Sequence, residues 1–239
     1  MTIKVNDEVA FKEVVKILVK NKINYWICHG TLLGIIRDNR LLPWDHDIDF
    51  AVWDDEYSKE EIIKIFTEDQ RFKKMPVMEE INSLHFLFSS KRIDINFYTR
   101  KENKAYINWL APPDNFFQKL YCFSLDLIAN NTSISKSIES TNGSFIKFIK
   151  LILAITLFSL RFVLTKKFKL KLLTILHKNL RLTGYSYPMN LMENKLIKFL
   201  NIDICAPINS EKILELTYGI DWKIPKKEYV WYREAKNLH

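Results

Sequence analysis

Glycine, proline and cysteine are scarce in this chain. Its 239 residues include five glycines, seven prolines and three cysteines. The cysteines, Cys28, Cys122 and Cys205, are widely separated, which excludes a framework of paired disulfides and the C-x-x-C spacing of a zinc site. They indicate free thiols, so we expect a cytoplasmic protein. Because 48% of the residues are hydrophobic and 13% are aromatic, we also expect a folded chain rather than a disordered one.

Acidic residues are missing from one long segment. No Asp or Glu occurs between Glu139 and Glu193, whereas nine residues there are basic, so this segment alone accounts for the net charge of +8. Its apolar run between Lys150 and Arg161 has ten uncharged residues, well short of the ~20 that a membrane-spanning helix needs. We predict instead that a basic helix over residues 145–171 lies on an anionic membrane, peripheral at its inner face.

Two other interpretations of this basic segment differ in what they predict. A helix packed in the core, with its lysines solvated, would show the same pattern of charged and apolar residues. A nucleic-acid groove is disfavoured, because aliphatic residues rather than exposed aromatics interleave the lysines. We therefore expect no nucleic-acid partner.

Hydrophobic periodicity predicts a mixture of helices and strands. The 3.6-residue period predicts helices over Asp7–Lys20 and Ser58–Glu68. Short β-rich runs predict strands over Tyr25–Cys28, Ile48–Trp53, His85–Phe88 and Ile93–Tyr98. Residues 30–34 read as a turn leading into a short helix that ends near Arg37. The chain from residue 115 onward reads as helical to its end, with breaks near Asn142–Gly143, Gly184–Pro188 and Pro207. The sequence therefore predicts an α+β fold.

Three aspartates, Asp45, Asp47 and Asp49, are spaced two residues apart. On a strand they project to one side, where three like charges destabilise the fold unless a cation lies between them. Carboxylate oxygens are the ligands that Mg²⁺ prefers, so a divalent ion is the simplest partner. Asp94 lies on a second predicted strand and is a suitable further ligand. The other interpretation of the row is a solvated edge strand without a metal.

A small-residue motif precedes the aspartates. In G-T-L-L-G, Gly30 and Gly34 would let backbone N–H groups approach a phosphate, and the Thr31 hydroxyl would add a donor at a helix N-terminus. A structural tight turn is the alternative, because this motif alone has low specificity. Its position some fifteen residues before the acidic row favours a phosphate site.

These motifs resemble a known family. G-T-L-L-G, followed by Arg37 and L-P-W-D-H-D-I-D, is similar to the signature of LicD/fukutin-type phosphotransferases, whose nucleotidyltransferase fold is related to polymerase beta. R-I-D-I-N-F-Y lies where that family has its third carboxylate, and Y-G-I-D-W-K-I-P, residues 218–225, is similar to its C-terminal pattern. The resemblance implies a polymerase-beta-like core with a small mixed sheet and a helical C-terminal half.

The resemblance also implies an organisation for the chain. We expect a single catalytic domain over residues 1–239. Its nucleotidyltransferase-like core would cover residues 1–115, the basic helical region residues 116–190, and a C-terminal helical part, residues 191–239, would pack on the core.

The activity implied by the resemblance is transfer of a phospho-alcohol group from a CDP-activated donor to a hydroxyl of a cell-surface or lipid-linked glycan, with release of CMP. The alcohol phosphate would be phosphocholine-like or a polyol phosphate, and the cofactor would be Mg²⁺ or Mn²⁺, as two ions. By the same resemblance, the ions would be held by Asp47, Asp49 and Asp94, with Asp94 also the general base. Donor phosphate would be bound by Gly30, Thr31, Gly34 and Arg37, with Asp45 as a supporting residue.

Two alternatives remain open from the sequence. One keeps the fold but transfers a nucleoside monophosphate from an NTP to a small molecule, protein or RNA. The other is a catalytically silent, membrane-bound subunit of a glycan assembly pathway. Five tryptophans could include a cage for a quaternary ammonium group, although core packing explains such residues equally well: Trp26, Trp44, Trp109, Trp222 and Trp231. His85 has no ligand-like spacing and receives no predicted role.

Overall fold

The computed structural model describes residues 7–75, 82–111, 182–226 and 229–238, together with a few positions between 115 and 156. The chain divides into two compact units. The first comprises Met1–Met75, Glu79–Trp109 and Thr183–His239, and the second comprises Pro76–Met78 and Leu110–Leu182. The C-terminal residues therefore belong to the same compact unit as the N-terminal ones. Most of the predicted basic region, residues 116–190, lies outside the described residues.

The helices and strands of the described residues follow one another in mixed order. The helices are α1 (Asp7–Lys20), α2 (His29–Asp38), α3 (Lys59–Thr67), α4 (Ser210–Tyr218) and α5 (Trp231–Glu234), with a 3₁₀ turn at Met189–Leu191. The strands are β1 (Trp26–Ile27), β2 (Asp47–Trp53), β3 (Phe72–Lys74), β4 (Ser83–Phe88), β5 (Lys91–Lys101), β6 (Lys104–Leu110), β7 (Leu182–Pro188), β8 (Asn194–Phe199) and β9 (Ile202–Pro207). No helix among these residues is long and apolar enough to cross a membrane.

A seven-stranded mixed sheet forms the centre of the first unit. Its strand order is β1-β2-β5-β4-β3, with β6 paired to β5 and β7 paired to β6. Strands β2 and β5 are parallel, whereas β1–β2, β3–β4, β4–β5 and β5–β6 are antiparallel. Central strands of this kind are apolar on both faces, and Phe50, Val52, Ile93 and Ile95 are fully buried. The α+β class and the mixed sheet predicted from the sequence are confirmed.

Helix α1 covers one side of this core. Its first turn carries Asp7 and Glu8 and its last turn Lys20, which complements the helix dipole at both ends. The Phe11 ring stacks on Phe50 of β2 at a centroid distance of 5.4 Å. The helix begins and ends at the residues that the hydrophobic period predicts.

The C-terminal part differs from the prediction of a helical half. Residues 182–207 form three strands, β7, β8 and β9. In β7, Thr183, Tyr185 and Tyr187 are buried, a two-residue period that is typical of a strand. Between β8 and β9, Leu200 and Asn201 both have positive φ, as in a two-residue hairpin turn. The helical prediction was therefore wrong for β8 and β9, whereas β7 lies largely on the break predicted at Gly184–Pro188. In the described residues after β9, the helices are α4 and α5.

Candidate active site

Helix α2 begins at His29, directly after β1, so that both glycines of G-T-L-L-G lie inside the helix. The predicted turn over residues 30–34 is therefore wrong. Cys28 is the N-cap residue and makes no side-chain capping hydrogen bond. The first N–H groups of a helix have no intrahelical acceptor, and they favour an anion at this end. The predicted short helix does exist, and it ends at Asp38, one residue beyond Arg37.

Packing explains the two glycines without reference to a phosphate. A Cβ atom at Gly30 would overlap the carboxylate of Asp45, and one at Gly34 would lie 2.6 Å from the carbonyl oxygen of Arg40. Both glycines thus let residues 40–45 lie directly against α2. Because of Gly30, the Asp45 carboxylate reaches the first turn of the helix. Phosphate binding by these glycines stays a prediction.

Thr31 connects the helix to the acidic strand. It is buried, and its Oγ1 accepts a hydrogen bond of 2.8 Å from the backbone N–H of Asp49. The sequence predicts a donor to phosphate at this position, whereas the structure shows a residue that fixes β2 against α2. At the other end of the row, Lys91 holds the backbone of Asp45, because its buried Nζ donates to the Asp45 carbonyl oxygen at 2.9 Å.

The three aspartates of the row come together. Asp45 precedes β2, and Asp47 and Asp49 lie on it. One carboxylate oxygen from each of the three lies within 4.8 Å of the others. Asp49 is buried, whereas Asp45 and Asp47 are partly exposed. The row is therefore a carboxylate cluster at the rim of the core.

Strand β5 supplies the neighbours of this cluster. Its parallel register places Arg92 beside Asp47 and Asp94 beside Asp49. Arg92 Nη2 donates to Asp47 and, at 2.8 Å, to Oδ2 of Asp94. The other oxygen of Asp94 lies 2.8 Å from Nδ1 of His85. Asp94 is thus adjacent to the cluster, but both of its oxygens are engaged by neighbouring side chains.

Three residues of this site received no role from the sequence: His85, Arg92 and Asn96. Asn96 Nδ2 donates to Oδ1 of Asp49 at 3.2 Å. Arg92 and Asn96 lie two residues before and after Asp94, so the two-residue period of a strand could have indicated them. His85 is the register partner of Asp94 on β4, which the sequence does not specify because hairpin register depends on the turn.

Burial and mutual repulsion raise the pKa of two carboxyls in the cluster. Burial, followed by the neighbouring Asp47, raises the pKa of Asp45 to about 7. Burial, and then the charges of Asp47 and Asp94, holds the pKa of Asp49 well above its usual range. Raised values of this kind mean that the charged forms lack a sufficient positive partner. Arg92 alone does not neutralise the cluster.

The cluster fits a divalent cation. Its three carboxylates offer hard oxygen ligands within reach of a single ion, and an ion there would relieve the repulsion that raises the pKa values of Asp45 and Asp49. Asp45, Asp47 and Asp49 would hold Mg²⁺ or Mn²⁺. The predicted set of Asp47, Asp49 and Asp94 stays a prediction, and Asp45 is within ligand reach in addition to it.

A cavity of about 220 Å³ opens next to the cluster. Gly30, Arg37 and Asp45 line one side. The other side comes from Tyr218, Trp222 and Ile224 of Y-G-I-D-W-K-I-P and from Lys226 and Tyr229, so the N-terminal and C-terminal motifs meet here. Arg37 is nearly buried, and its Nε and Nη2 donate to the Asp38 carboxylate at 2.9 Å. Its predicted contact with donor phosphate stays a prediction.

The five tryptophans have different surroundings. Trp44 and Trp222 line the cavity. Trp26 packs against Trp53, and Trp109 against Trp231. Two of the five residues proposed for a cage therefore share one cavity, and the other three belong to ring clusters elsewhere.

Comparisons with known proteins agree with this geometry. Residues 22–131 match the LicD/FKTN/FKRP nucleotidyltransferase domain. An uncharacterised protein of Rickettsia typhi is 29% identical over 108 residues, which are 44% of this chain and 33% of that protein. One from Rickettsia prowazekii is 38% identical over 111 residues, 44% of this chain and 40% of that protein. The similarity thus spans less than half the length of either relative.

Solved structures with a detectable likeness are more distant. A crystal structure of ANT(2")-Ia in complex with adenylyl-2"-tobramycin covers 72% of this chain and 98% of its own, at 12% identity and a TM-score of 0.34. A solution structure of ANT(2'')-Ia has the same identity and TM-score. Likeness at this level carries no conclusion about substrate. The carboxylate cluster and its neighbours on β4 and β5 lie within residues 22–131, the range that matches the LicD/FKTN/FKRP nucleotidyltransferase domain.

Proposed function

We propose that this protein transfers a phospho-alcohol group, a phosphocholine-like or polyol phosphate, from a CDP-activated donor to a hydroxyl of a cell-surface or lipid-linked glycan. The observation that carries the proposal is the cluster of Asp45, Asp47 and Asp49 beside the first turn of α2. Phosphoryl-group transfer depends mainly on positioning and charge neutralisation, and a carboxylate cluster that holds a divalent ion beside a helix N-terminus would supply both.

The proposed reaction exchanges one P–O bond for another. The acceptor hydroxyl oxygen attacks the phosphorus that carries the alcohol, and the bond from this phosphorus to the oxygen of CMP breaks. CMP leaves as the nucleotide product, and the acceptor hydroxyl loses its proton. Divalent ions, proposed as a pair of Mg²⁺ or Mn²⁺, would neutralise the phosphate charge when bound. No covalent intermediate on the protein is required.

The side chains of the site would divide the remaining work. Asp94 would accept the hydroxyl proton, with His85 holding one of its oxygens at 2.8 Å. His85 Nε2 is buried and has no hydrogen-bond partner among the described residues, whereas Nδ1 contacts Asp94 and so holds the ring in the site. Arg92 now bridges Asp47 and Asp94, and its guanidinium would turn to the donor phosphate when the cluster holds an ion. That movement would free the second oxygen of Asp94.

Location at the inner face of a membrane is part of the proposal. It is supported by the charge pattern of residues 145–171 in the sequence, most of which lie outside the described residues. A lysine-rich helix there would bring the transferase close to lipid-linked acceptors.

The experiment that tests the function is incubation with Mg²⁺ and separate panels of CDP-alcohols and NTPs, with extracted glycans as acceptors. We expect CMP from a CDP-alcohol, dependent on the acceptor. Release of pyrophosphate from an NTP would support nucleoside monophosphate transfer instead. Absence of both products with every acceptor would favour a catalytically silent subunit.

A further inference from the structure

The cavity beside the carboxylate cluster has a lining that the transfer chemistry does not use. Four aromatic residues contribute to it: Trp44, Tyr218, Trp222 and Tyr229. The rings of Tyr218 and Tyr229 lie 4.9 Å apart, and the Tyr229 hydroxyl donates to the carbonyl oxygen of Thr217 at 2.9 Å. Trp222 is buried. The rings of Tyr218, Trp222 and Tyr229 therefore form a fixed apolar surface, and Trp44 lies at its solvent-exposed edge.

The location of the cavity connects it to the reaction. Asp45 and Gly30 line the cavity, and Asp45 is also one of the three clustered carboxylates. A group bound in the cavity therefore lies next to the place where phosphate would be held. The volume of about 220 Å³ is below the ~300 Å³ at which pockets for drug-sized ligands begin. It suits one ring-sized group and not a complete nucleotide.

The charges around the cavity exclude some occupants. Arg37 and Lys226 line it with one carboxylate, Asp45. Both cations are paired outside the lining, Arg37 with Asp38 at 2.9 Å and Lys226 with Asp221 at 3.1 Å. Two cations already lie in the wall with their own carboxylate partners, and a quaternary ammonium group offers no hydrogen bond to them or to Asp45, so the cavity is a poor match for the cage predicted from the tryptophans. It fits a neutral ligand that both donates and accepts hydrogen bonds.

We propose that this cavity binds a neutral polyhydroxylated group of ring size, a sugar residue of the acceptor or the polyol of the donor. Such a group has C–H faces that pack on aromatic rings, and hydroxyls that donate to a carboxylate and accept from guanidinium or ammonium groups. The cavity also opens to solvent, because Trp44 is 51% exposed and Ile224 is 64% exposed, so one residue of a longer glycan can enter. The proposal deepens the proposed function and rests on it for the class of ligand.

The test is ligand binding to the full-length protein without divalent ion or CDP donor. Methyl pyranosides, ribitol, glycerol, choline and cytidine are compared by saturation-transfer NMR and tryptophan fluorescence. We expect a pyranoside or polyol to bind with a dissociation constant of about 1 mM, and Trp44→Ala and Lys226→Met each to weaken it by about fivefold or more. Ile220→Ala is the matched control, because Ile220 is 89% exposed and does not line the cavity.

The outcomes separate the two sources of the ligand. Binding of pyranosides alone would indicate the acceptor sugar, and binding of ribitol or glycerol alone would indicate the donor alcohol; either supports the proposal. The proposal is overturned if only choline or cytidine binds, if nothing binds, or if neither lining variant changes the affinity. Because no donor or ion is present, sugar binding without any transferase activity would refute the proposed function and leave the cavity's ligand intact. Transferase activity without such binding would support the proposed function and overturn the proposal for the cavity.

Discussion

Asp49 and Asp94 are direct register partners on the parallel strands β2 and β5, yet their carboxylates bind different neighbours. Asp49 accepts from Asn96 and belongs to the carboxylate cluster, whereas the oxygens of Asp94 are held by His85 and Arg92. The two residues are therefore adjacent in the sheet but differ in their surroundings. Under the proposed function, Asp49 would help to hold an ion, and Asp94 would accept a proton after Arg92 releases it.

Arg92→Gln is predicted to raise the affinity for divalent ions. Arg92 donates to Asp47 and Asp94, so in the absence of an ion it neutralises charge that an ion would otherwise neutralise. Removing an ion pair worth about 1 kcal/mol should tighten Mn²⁺ binding by about fivefold in calorimetry. Arg100→Gln is the matched control, because Arg100 lies on the same strand and pairs with Asp55 and Glu56 instead. Unchanged or weaker Mn²⁺ binding in Arg92→Gln would contradict competition between Arg92 and the ion for the carboxylates.

The stability of the ion-free protein should depend on pH through Asp45. Burial, followed by Asp47, raises the pKa of Asp45 to about 7, whereas in the unfolded chain it is near 4. Between these values the folded state binds more protons, so the contribution of Asp45 to stability falls as pH rises from about 4 to 7. Burial also lowers the pKa of His29 to about 4, and this acts in the opposite direction below about pH 6.5.

The difference in Tm between Asp45→Asn and the wild type isolates the contribution of Asp45. With EDTA present, Asp45→Asn should raise the Tm relative to the wild type more at pH 8 than at pH 5, because the neutral amide does not ionise. Differential scanning fluorimetry across this range measures it. Mg²⁺ should reduce the difference at pH 8 by stabilising the charged wild-type carboxylate. A difference that is constant with pH would show that Asp45 does not titrate in this range.

Gly30→Ala should weaken ion binding. Alanine usually stabilises a helix by about 1 kcal/mol relative to glycine, but here its Cβ would displace the Asp45 carboxylate. We expect at least a few-fold loss of Mn²⁺ affinity. Gly34→Ala is the comparison, because its Cβ would meet the backbone of Arg40 rather than a cluster side chain. It should lower the Tm more than Gly30→Ala does, since backbone yields less easily. An increase in Tm with normal ion affinity in Gly30→Ala would refute the packing role.

Liposome binding tests the membrane part of the proposal. The protein should bind vesicles that contain anionic lipid at low salt, and binding should weaken as ionic strength rises. Replacing four lysines of the basic segment by Gln should abolish it: Lys166, Lys167, Lys169 and Lys171. A variant with four lysines replaced near the sheet, at Lys59, Lys64, Lys73 and Lys104, controls for net charge. Equal loss in both variants, or none in either, would reject a specific role for the segment.

The sequence predicted those parts of the fold in which local pattern and tertiary packing agree. Helix α1 follows the apolar period at both ends, and the strands around Asp49 and Asp94 combine β-branched residues with a two-residue period. It failed for β8 and β9, which pair with each other as a hairpin, and it marked residues 184–188 only as a break. There β7 forms because its partner β6 lies elsewhere in the chain, and Gly184 packs so closely on the Ile107 carbonyl that no Cβ would fit. Such a contact between distant residues has no local signal.

The acidic residues of the site were predicted from the sequence, but the contacts that neighbouring residues make with them were not. The spacing of Asp45, Asp47 and Asp49 was sufficient to indicate a cluster. Long-range packing was not predictable, and it decides that Gly30 accommodates Asp45 and that Thr31 binds the backbone of Asp49. The role of His85 depends on hairpin register, which hydrophobic pattern alone did not fix.

The central claim is that the carboxylate cluster supports transfer of a phospho-alcohol group, and ³¹P NMR with the full-length protein tests it most directly. Wild type and Asp47→Asn are incubated with Mg²⁺, a CDP-alcohol and the glycan acceptor. We expect the pyrophosphate signals of the donor to be replaced by those of CMP and a new phosphodiester on the glycan. Asp47→Asn should slow the formation of this phosphodiester by about 10³-fold or more. A phosphodiester formed equally fast by Asp47→Asn, or none formed by the wild type with any CDP-alcohol, would contradict the central claim.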